Sequence, residues 1–291
     1  MLSSEPIFHP RQMLLILMML LFALPTVAPA ARPAAAAQTA SIEELWIDMR
    51  IGPPIIPLFN EAARSDDIAR VDHPSQVDQL AGIDAGRKMV IFKSVEETEQ
   101  LLADMADEID IVGYNLEHGQ TTPAAEKEDP VRSIQRMREL ADEHGLQLAF
   151  GPDHDFALSH GVEMAPFVDI FVLQIQRQQT NPATVESFIV PLVPQLREAN
   201  PDLEVSVQVR TEGDVEGIVE LLDSLKAHLD GISILTSPDT VDVAWELVAA
   251  LRPYVTIPSQ GGERTALYIL LALLAVGLLG AFFLRRRRTA S

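Results

Sequence analysis

Short apolar segments rich in valine and isoleucine recur along the chain and alternate with segments of helical periodicity, and this alternation restricts the fold more than any other feature. The apolar segments have the length of buried strands and are bounded by Gly, Pro, Asp or Ser. Strands and helices in this order form parallel βαβ units. We predict eight strands, at residues 45–50, 89–93, 110–117, 147–153, 169–176, 204–210, 231–237 and 254–257.

Eight βα units within one domain predict a closed (β/α)8 barrel of the TIM type. Helix-start signals stand between the predicted strands, as at Ser94, Asp129-Pro130 and Asn181-Pro182. The alternative is an open doubly wound sheet, because the weak first and last strands decide whether the sheet closes. No glycine-rich dinucleotide loop or P-loop sequence follows any predicted strand, so neither nucleotide-binding version is supported.

The two ends of the sequence differ in composition from the centre. An apolar run at 13–24 follows Arg11 and precedes Ala-x-Ala sequences, which predicts a secretory signal peptide at 1–37. Residues 265–284 lack charge and are followed by four arginines at 285–288, which predicts one transmembrane helix with a cytoplasmic tail at 285–291. We therefore expect an extracytoplasmic domain at 38–258, a linker at 259–264, and location in the cell membrane.

The tail carries a further pattern. Ile257-Pro258-Ser259-Gln260-Gly261, an apolar segment and a basic end follow one another in the order found in bacterial sortase substrates. This tail resembles their Leu-Pro-x-Thr-Gly sorting signal, with Gln260 where the threonine stands. Gly261-Gly262 also resembles diglycine signals read by rhomboid-like proteases. Either resemblance implies processing after export, and cell-wall attachment stays open beside plain membrane anchoring.

Charge and cysteine content limit the partners and the stabilising chemistry. The net charge of -20 repels nucleic acid and anionic lipid surfaces, so nucleic acid is not an expected partner. The sequence contains no cysteine, so the exported domain cannot form disulfides and depends on its core. We expect the membrane, through the single span, and a glycan ligand as the partners.

Alternation along each strand separates residues that face the helices from residues that face the barrel axis. In 110–117 the helix side takes Val112 and Tyr114, so Glu117 should point inward near the carboxyl end of the strand, where barrel active sites form. Lys93 shares the phase of Met89 and Ile91, and we expect it to face the helices, which argues against Schiff-base chemistry. The predicted catalytic residues are Glu117 and Asp153, and the predicted substrate-binding residues are Asp48, Arg50, Asn115, Gln174, Gln176, Gln208 and Arg210.

Amides, carboxylates and arginines suit a substrate with many hydroxyl groups. Cleavage of a glycosidic bond further needs two carboxyl groups on either side of it. With the sequence Tyr114-Asn115-Leu116-Glu117 at a strand end, the domain resembles the glycosidase-type (β/α)8 superfamily over residues 41–257. The resemblance implies carboxylate acid/base catalysis with Glu117 as the acid/base and no cofactor.

Three other interpretations remain open. Asp153, His154 and Asp155, with Glu117 and His118, have the ligand types of a divalent metal site, which would make the protein a metal-dependent hydrolase. A second interpretation is a barrel that binds a glycan or a protein without catalysis. The third is an internal network in which Asp48, Arg50, Glu117 and Arg210 satisfy one another, since buried polar groups need partners.

Overall fold

The computed structural model describes residues 41–256, and these form a closed barrel of eight parallel strands in sequence order. Closure is made by β1 and β8, where Trp46 is in register with Gly231 and Asp48 with Ser233. The prediction of a TIM-type barrel is therefore confirmed, and the open-sheet alternative is wrong. The strands are β1 (Trp46–Arg50), β2 (Ile68–Val71), β3 (Arg87–Phe92), β4 (Ile111–Tyr114), β5 (Gln147–Phe150), β6 (Ile170–Gln174), β7 (Glu204–Arg210) and β8 (Gly231–Leu235).

Helices connect the strands on the outside of the barrel. In the second unit a 3-10 helix, Pro74–Gly82, takes the place of an α-helix. Ser94, Asp129 and Asn181 accept the predicted N-terminal hydrogen bonds of their helices. The α-helices are α1 (Ile56–Ala62), α2 (Val95–Met105), α3 (Ala124–Glu128), α4 (Pro130–Glu143), α5 (His154–Met164), α6 (Pro182–Ala199), α7 (Val215–Leu225) and α8 (Val241–Leu251), and further 3-10 turns lie at Ile42–Glu44, Ala106–Glu108, Ala165–Phe167, Lys226–His228 and Pro238–Thr240.

Two strand assignments differ from the prediction. The second strand, Ile68–Val71, was not predicted, because its four residues include Arg70 and carry no continuous apolar run. The predicted strand at 254–257 is wrong, since the described part of it, 254–256, forms no strand. There Val255 is buried against the core, which accounts for its apolar pattern without any strand pairing.

Alternate residues of each strand belong to two different hydrophobic clusters. The larger cluster lies between strands and helices and contains Val112, Tyr114, Phe171 and Leu173, as predicted. The smaller cluster shares the opposite phase and fills the barrel: Trp46, Ile68, Met89, Ile91, Ile111, Ala149, Ile170 and Val172. Because Met89 and Ile91 belong to the interior, the expectation that they and Lys93 face the helices is wrong.

Close packing at the amino-terminal end of the barrel explains why residue 231 is a glycine. A Cβ atom added to Gly231 would lie 2.1 Å from the ring of Trp46, a distance too short for two non-bonded carbon atoms. Trp46 is 5% exposed and occupies the space that a side chain at this β8 position would need. The indole therefore closes the lower end of the barrel and leaves the polar interior residues above it, toward the carboxyl ends of the strands.

The last described residues bind the amino-terminal face of the barrel. Arg252, which is 1% exposed, donates from Nη1 to the carbonyl of Glu43 at 3.0 Å and from Nη2 to that of Leu45 at 2.6 Å, just before β1. The hydroxyl of Tyr254 donates to the carbonyl of Ala62, the last residue of α1, at 2.7 Å. Since strands begin on this face, residues 252–256 lie opposite the mouth where strands end.

No helix within residues 41–256 has the length and hydropathy needed to cross a bilayer. The predicted signal peptide at 1–37 and the predicted span, tail and sorting sequence from 257 onward lie outside the described residues.

Candidate functional site

Glu117 lies just beyond β4 at the mouth of the barrel and pairs with Lys93 from the end of β3. Lys93 Nζ is 3.6 Å from Glu117 Oε1, and the side chains are 16% and 32% exposed, respectively. Asn115 Nδ2 donates to the same oxygen at 3.3 Å. Among the described residues, nothing donates a hydrogen bond to Oε2 of Glu117. Glu117 thus lies at the carboxyl end of the barrel, with Oε1 held by two contacts and Oε2 without a donor among the described residues.

An ion-pair network continues from this pair around β1 and β2. Arg70 Nε lies 3.0 Å from both carboxylate oxygens of Asp48, and its Nη1 donates to Asp72. Arg50 Nη1 donates to Asp72 at 3.1 Å and its Nη2 to the carbonyl of Thr236. The order Arg50, Asp72, Lys93, Glu117 therefore alternates in charge across the ends of four neighbouring strands.

The two aspartates of this network differ in the direction of their pKa shifts. Burial raises the pKa of Asp48 above its ordinary value, against the opposing effects of Arg70 and the Ser233 hydroxyl, which donates to Asp48 at 2.7 Å. Burial acts the same way on Asp72, but Arg70 and Arg50 outweigh it, so the pKa of Asp72 is lowered. Asp72, with 22% of its side chain exposed, is thus a fixed negative charge near the surface, whereas Asp48 is buried.

Of the three predicted glutamines, Gln174 and Gln176 lie at the mouth, and Gln208 is buried below it. Gln174 Nε2 donates to the carbonyl of Gly151 at 2.9 Å, and Gln176 Nε2 donates to Gln174 Oε1 at 2.9 Å. Gln208, buried on β7, donates to Ser233 Oγ at 3.4 Å. Gln176 Oε1 is buried without a partner among the described residues, which leaves an acceptor unsatisfied.

Arg210 stands apart from Glu117 in this arrangement. Its Nη1 lies 3.8 Å from Glu212 in the loop after β7, and its backbone N–H donates to Gln179 at 2.8 Å. The predicted internal network therefore exists with partly different members: Asp48, Arg50 and Glu117 belong to it, Arg210 does not, and Arg70, Asp72 and Lys93 complete it.

The Asp153-His154-Asp155 sequence does not form a metal site in the structure. Asp153 accepts from the backbone N–H of His118 at 2.7 Å, and Asp155 lies 2.7 Å from Nε2 of the same histidine. The His154 ring packs on Phe188, with ring centroids 4.0 Å apart. Within residues 41–256 no three His, Cys, Asp or Glu side chains are arranged to hold a metal ion. The described residues therefore give the metal-hydrolase alternative no support.

The exposed His118 and Asp155 side chains form a pair of their own. The His118 ring stacks on Phe156 with centroids 4.7 Å apart. Burial acts to raise the pKa of Asp155, but the hydrogen bond with His118 outweighs it and the pKa is lowered. This pair, with Asp153, lines an 80 Å³ cavity that does not include Glu117.

The space available to a ligand lies at the mouth rather than inside the barrel. The interior cavity between Asp48, Arg70 and Gln208 has a volume of about 10 Å³, enough for about one water molecule. A 360 Å³ cavity opens at the ends of β1, β2 and β8, where Arg50 and Asp72 line it. A 420 Å³ cavity between α6 and α7, lined in part by the loops that follow β6 and β7, contains none of the predicted site residues.

Sequence reasoning missed Arg70, Asp72 and Lys93. Arg70 and Asp72 belong to the unpredicted strand β2 and the residue after it, and Ile68, Arg70 and Asp72 share the interior phase. Apolar and polar residues alternate from Ala69 onward in the sequence Ile68-Ala69-Arg70-Val71-Asp72, and this alternation indicates a strand. The segment nevertheless resembles a loop, because it is short and has an arginine at its centre. Lys93 was assigned to the wrong side because β3 is apolar on both faces.

No protein-family model matches the chain, and no curated protein matches it. Among solved structures, a Schiff-base-forming fructose-1,6-bisphosphate aldolase is similar over 73% of this chain and 95% of its own, with 12% identity and a TM-score of 0.47. A putative phosphonomutase from Burkholderia cenocepacia is similar over 72% and 93%, with 15% identity and a TM-score of 0.46. The carboxyl transferase domain of Rhizobium etli pyruvate carboxylase is similar over 77% and 50%, with 11% identity and a TM-score of 0.45. At such identities the likeness concerns the barrel fold alone.

Proposed function

We propose that this chain is an exported, membrane-anchored (β/α)8 enzyme that cleaves a glycosidic or similar polar bond at the mouth of the barrel, with Glu117 as general acid/base. The observation that carries the proposal is the fixed position of Glu117, held by Lys93 and Asn115 at the carboxyl end of the barrel. Lys93 and Asn115 both contact Oε1, so Oε2 is the oxygen of Glu117 that can exchange a proton with water or a substrate.

The second carboxyl group that such a reaction needs is better supplied by Asp72 than by Asp153. Asp153 is 9% exposed and one of its oxygens is occupied by the His118 N–H. Asp72 lines the 360 Å³ cavity and stays ionised because two arginines lower its pKa. An ionised carboxylate at this cavity can act as the base or the nucleophile that cleavage of a glycosidic bond requires.

One observation favours a binding barrel without catalysis. Every carboxylate of the alternating network has a cationic partner, and the interior holds no space for a substrate. Incubating the full-length chain with a panel of plant and bacterial polysaccharides separates the two functions. New reducing ends support the enzyme, whereas retention of a polysaccharide with no reducing ends formed would support the binding barrel.

The proposed anchoring has a geometric consequence. Thr256 donates its backbone N–H to Glu61 of α1 on the amino-terminal face, and the predicted span begins at Thr265. Only residues 257–264 separate Thr256 from the predicted span. If the span is in the bilayer, this short connection keeps the amino-terminal face close to the membrane. The mouth with Glu117 and Asp72 should therefore point away from the bilayer, toward substrates in the surrounding medium or wall.

Single cysteines can test this orientation, because the chain contains no other cysteine. Asp107 precedes β4 on the amino-terminal face and Thr121 follows β4 at the mouth, and both are exposed. In proteoliposomes, a fluorophore on Asp107→Cys should transfer energy to a lipid-borne acceptor more efficiently than one on Thr121→Cys. Equal or reversed efficiencies would contradict the orientation, and absence of both signals would contradict the anchor.

A further inference from the structure

We infer that the 360 Å³ cavity at the ends of β1, β2 and β8 is a binding subsite for a single neutral sugar ring. The inference rests on the proposed function, since it names the substrate class for the same mouth. Asp72 connects the two regions, because it lines the cavity and interacts electrostatically with Lys93, the partner of Glu117.

The lining has the mixed character that a sugar ring requires. Pro53, Pro54 and Pro238 provide rigid apolar surface on which the C–H face of a ring can pack. Asp72, Gln76 and Gln79 provide carboxylate and amide groups for the hydroxyls at the ring edge. Binding sites of about 300–1,000 Å³ combine apolar walls with a few polar groups in this way, and this cavity is at the small end of that range.

Gln79 carries an unsatisfied group at this site. Its side chain lines the cavity, and its Oε1 atom is buried without a hydrogen-bond partner among the described residues. A buried acceptor without a partner destabilises the folded state. Rotation of the amide toward the cavity allows this oxygen to accept from a ligand hydroxyl, so binding a hydroxylated ring satisfies an acceptor that the free protein leaves unpaired.

The charges at the cavity favour a neutral ligand over an ionic one. Arg50 is occupied by Asp72 on one side and by the carbonyl of Thr236 on the other. Asp72 accepts from Arg50 and Arg70, so its charge is already compensated. An anionic or cationic ligand would have to break one of these pairs, whereas hydroxyl groups can bind to the remaining lone pairs and amides without doing so.

The cavity exists because the second βα unit departs from the regular pattern. After β2 the chain forms the 3-10 helix Pro74–Gly82 instead of an α-helix, and after β1 it turns through Gly52-Pro53-Pro54. A 3-10 helix packs its side chains less evenly than an α-helix does. The space between these two connections and the start of the β8 loop is therefore left open at the mouth.

The test is binding of neutral hexoses to the full-length chain in a detergent without a sugar headgroup. Saturation-transfer difference NMR with glucose, galactose and mannose detects binding in the millimolar range. We expect at least one hexose to bind, and Gln79→Met to weaken its binding by roughly tenfold, the effect of losing about one hydrogen bond. Gln100→Met, on the exposed face of α2, is the matched control and should bind as the unmodified chain does.

The outcomes distinguish this subsite from the catalytic proposal. Hexose binding that Gln79→Met weakens supports the subsite even if no polysaccharide is cleaved, in which case only the catalytic proposal fails. Cleavage without binding of any hexose at 100 mM, or hexose binding that Gln79→Met leaves unchanged, overturns the subsite and leaves the catalytic proposal standing. Glucuronate and glucosamine serve as charged probes, and tighter binding of either than of the neutral hexoses would overturn the preference for a neutral ring.

Discussion

Replacing Arg70 by methionine is expected to destabilise the barrel by about 3–5 kcal/mol, because the substitution leaves a buried carboxylate without its cation. Arg70 is 3% exposed and Asp48 is 1% exposed, and the guanidinium contacts both oxygens of that carboxylate. Of the ion pairs described, this one combines deep burial with contact to the interior of the barrel. The free energy of unfolding from urea titration measures the effect.

Arg136 provides a matched control for this prediction. It also pairs with carboxylates, Glu99 and Glu139, each at 2.8 Å, but it lies on the exposed face of α4. Exposed ion pairs contribute little to stability because water solvates the charges in both states. Arg136→Met should leave the urea midpoint nearly unchanged. A similar loss of stability in the two variants would show that Arg70 acts through general charge balance rather than through its buried pair.

A double variant separates the pair from its members. If Arg70→Met is destabilising because Asp48 is left unpaired, then adding Asp48→Leu should recover most of the lost stability, since both buried charges are then gone. No recovery would indicate that the guanidinium stem or the Asp72 contact matters more than the Asp48 charge. The buried pair would then be a packing feature, and Asp48 would have no special cost when ionised.

The barrel could be predicted from the sequence because strands and helices alternate, and both are indicated by local residue patterns that are present in nearly every βα unit. The count of eight strands was correct while one member was wrong: 254–257 replaced Ile68–Val71. The error has a physical origin. A strand that contributes Arg70 to a charged interior loses the apolar run by which strands are recognised, whereas Val255 is buried without any strand pairing.

The site was predicted in part for a related reason. The predicted strand 110–117 ends at Tyr114 in the structure, so Glu117 lies three residues beyond it and strand alternation does not set its side. In β3 both faces are apolar, Met89 and Ile91 inside and Val90 and Phe92 outside, and alternation cannot show which side Lys93 takes. Which charges pair across strands depends on register between distant segments, and that information is absent from local patterns.

The network also separates structural from functional roles among the predicted site residues. Asp48 and Gln208 are buried below the mouth and bind Arg70 and Ser233, respectively, so we expect them to position the residues above them rather than contact a ligand. Arg50, Asp72 and Glu117 keep part of their surface exposed. The depth of a residue along its strand therefore decides its role, and strand ends must be known before that depth can be assigned.

Glu117→Gln is expected to lower kcat for polysaccharide cleavage by about 100- to 10,000-fold, the contribution of general acid/base catalysis, while KM changes only a few-fold. The amide keeps the shape of the side chain and its hydrogen bond with Asn115 can be retained by the amide oxygen. It cannot take a proton as the carboxylate does. Reducing-end assays over a substrate series give both constants, and thermal unfolding reports the fold.

Glu212→Gln is the matched control for this substitution, because Glu212 also lies in a mouth loop and pairs with one cation, Arg210 at 3.8 Å. It should leave kcat unchanged. If Glu117→Gln instead lowers the unfolding temperature by several degrees, and Lys93→Met lowers it equally, Glu117 is a structural partner of Lys93. If Glu117→Gln cleaves as fast as the unmodified chain, proton transfer at the mouth is carried by another group, and the assignment of Glu117 is wrong.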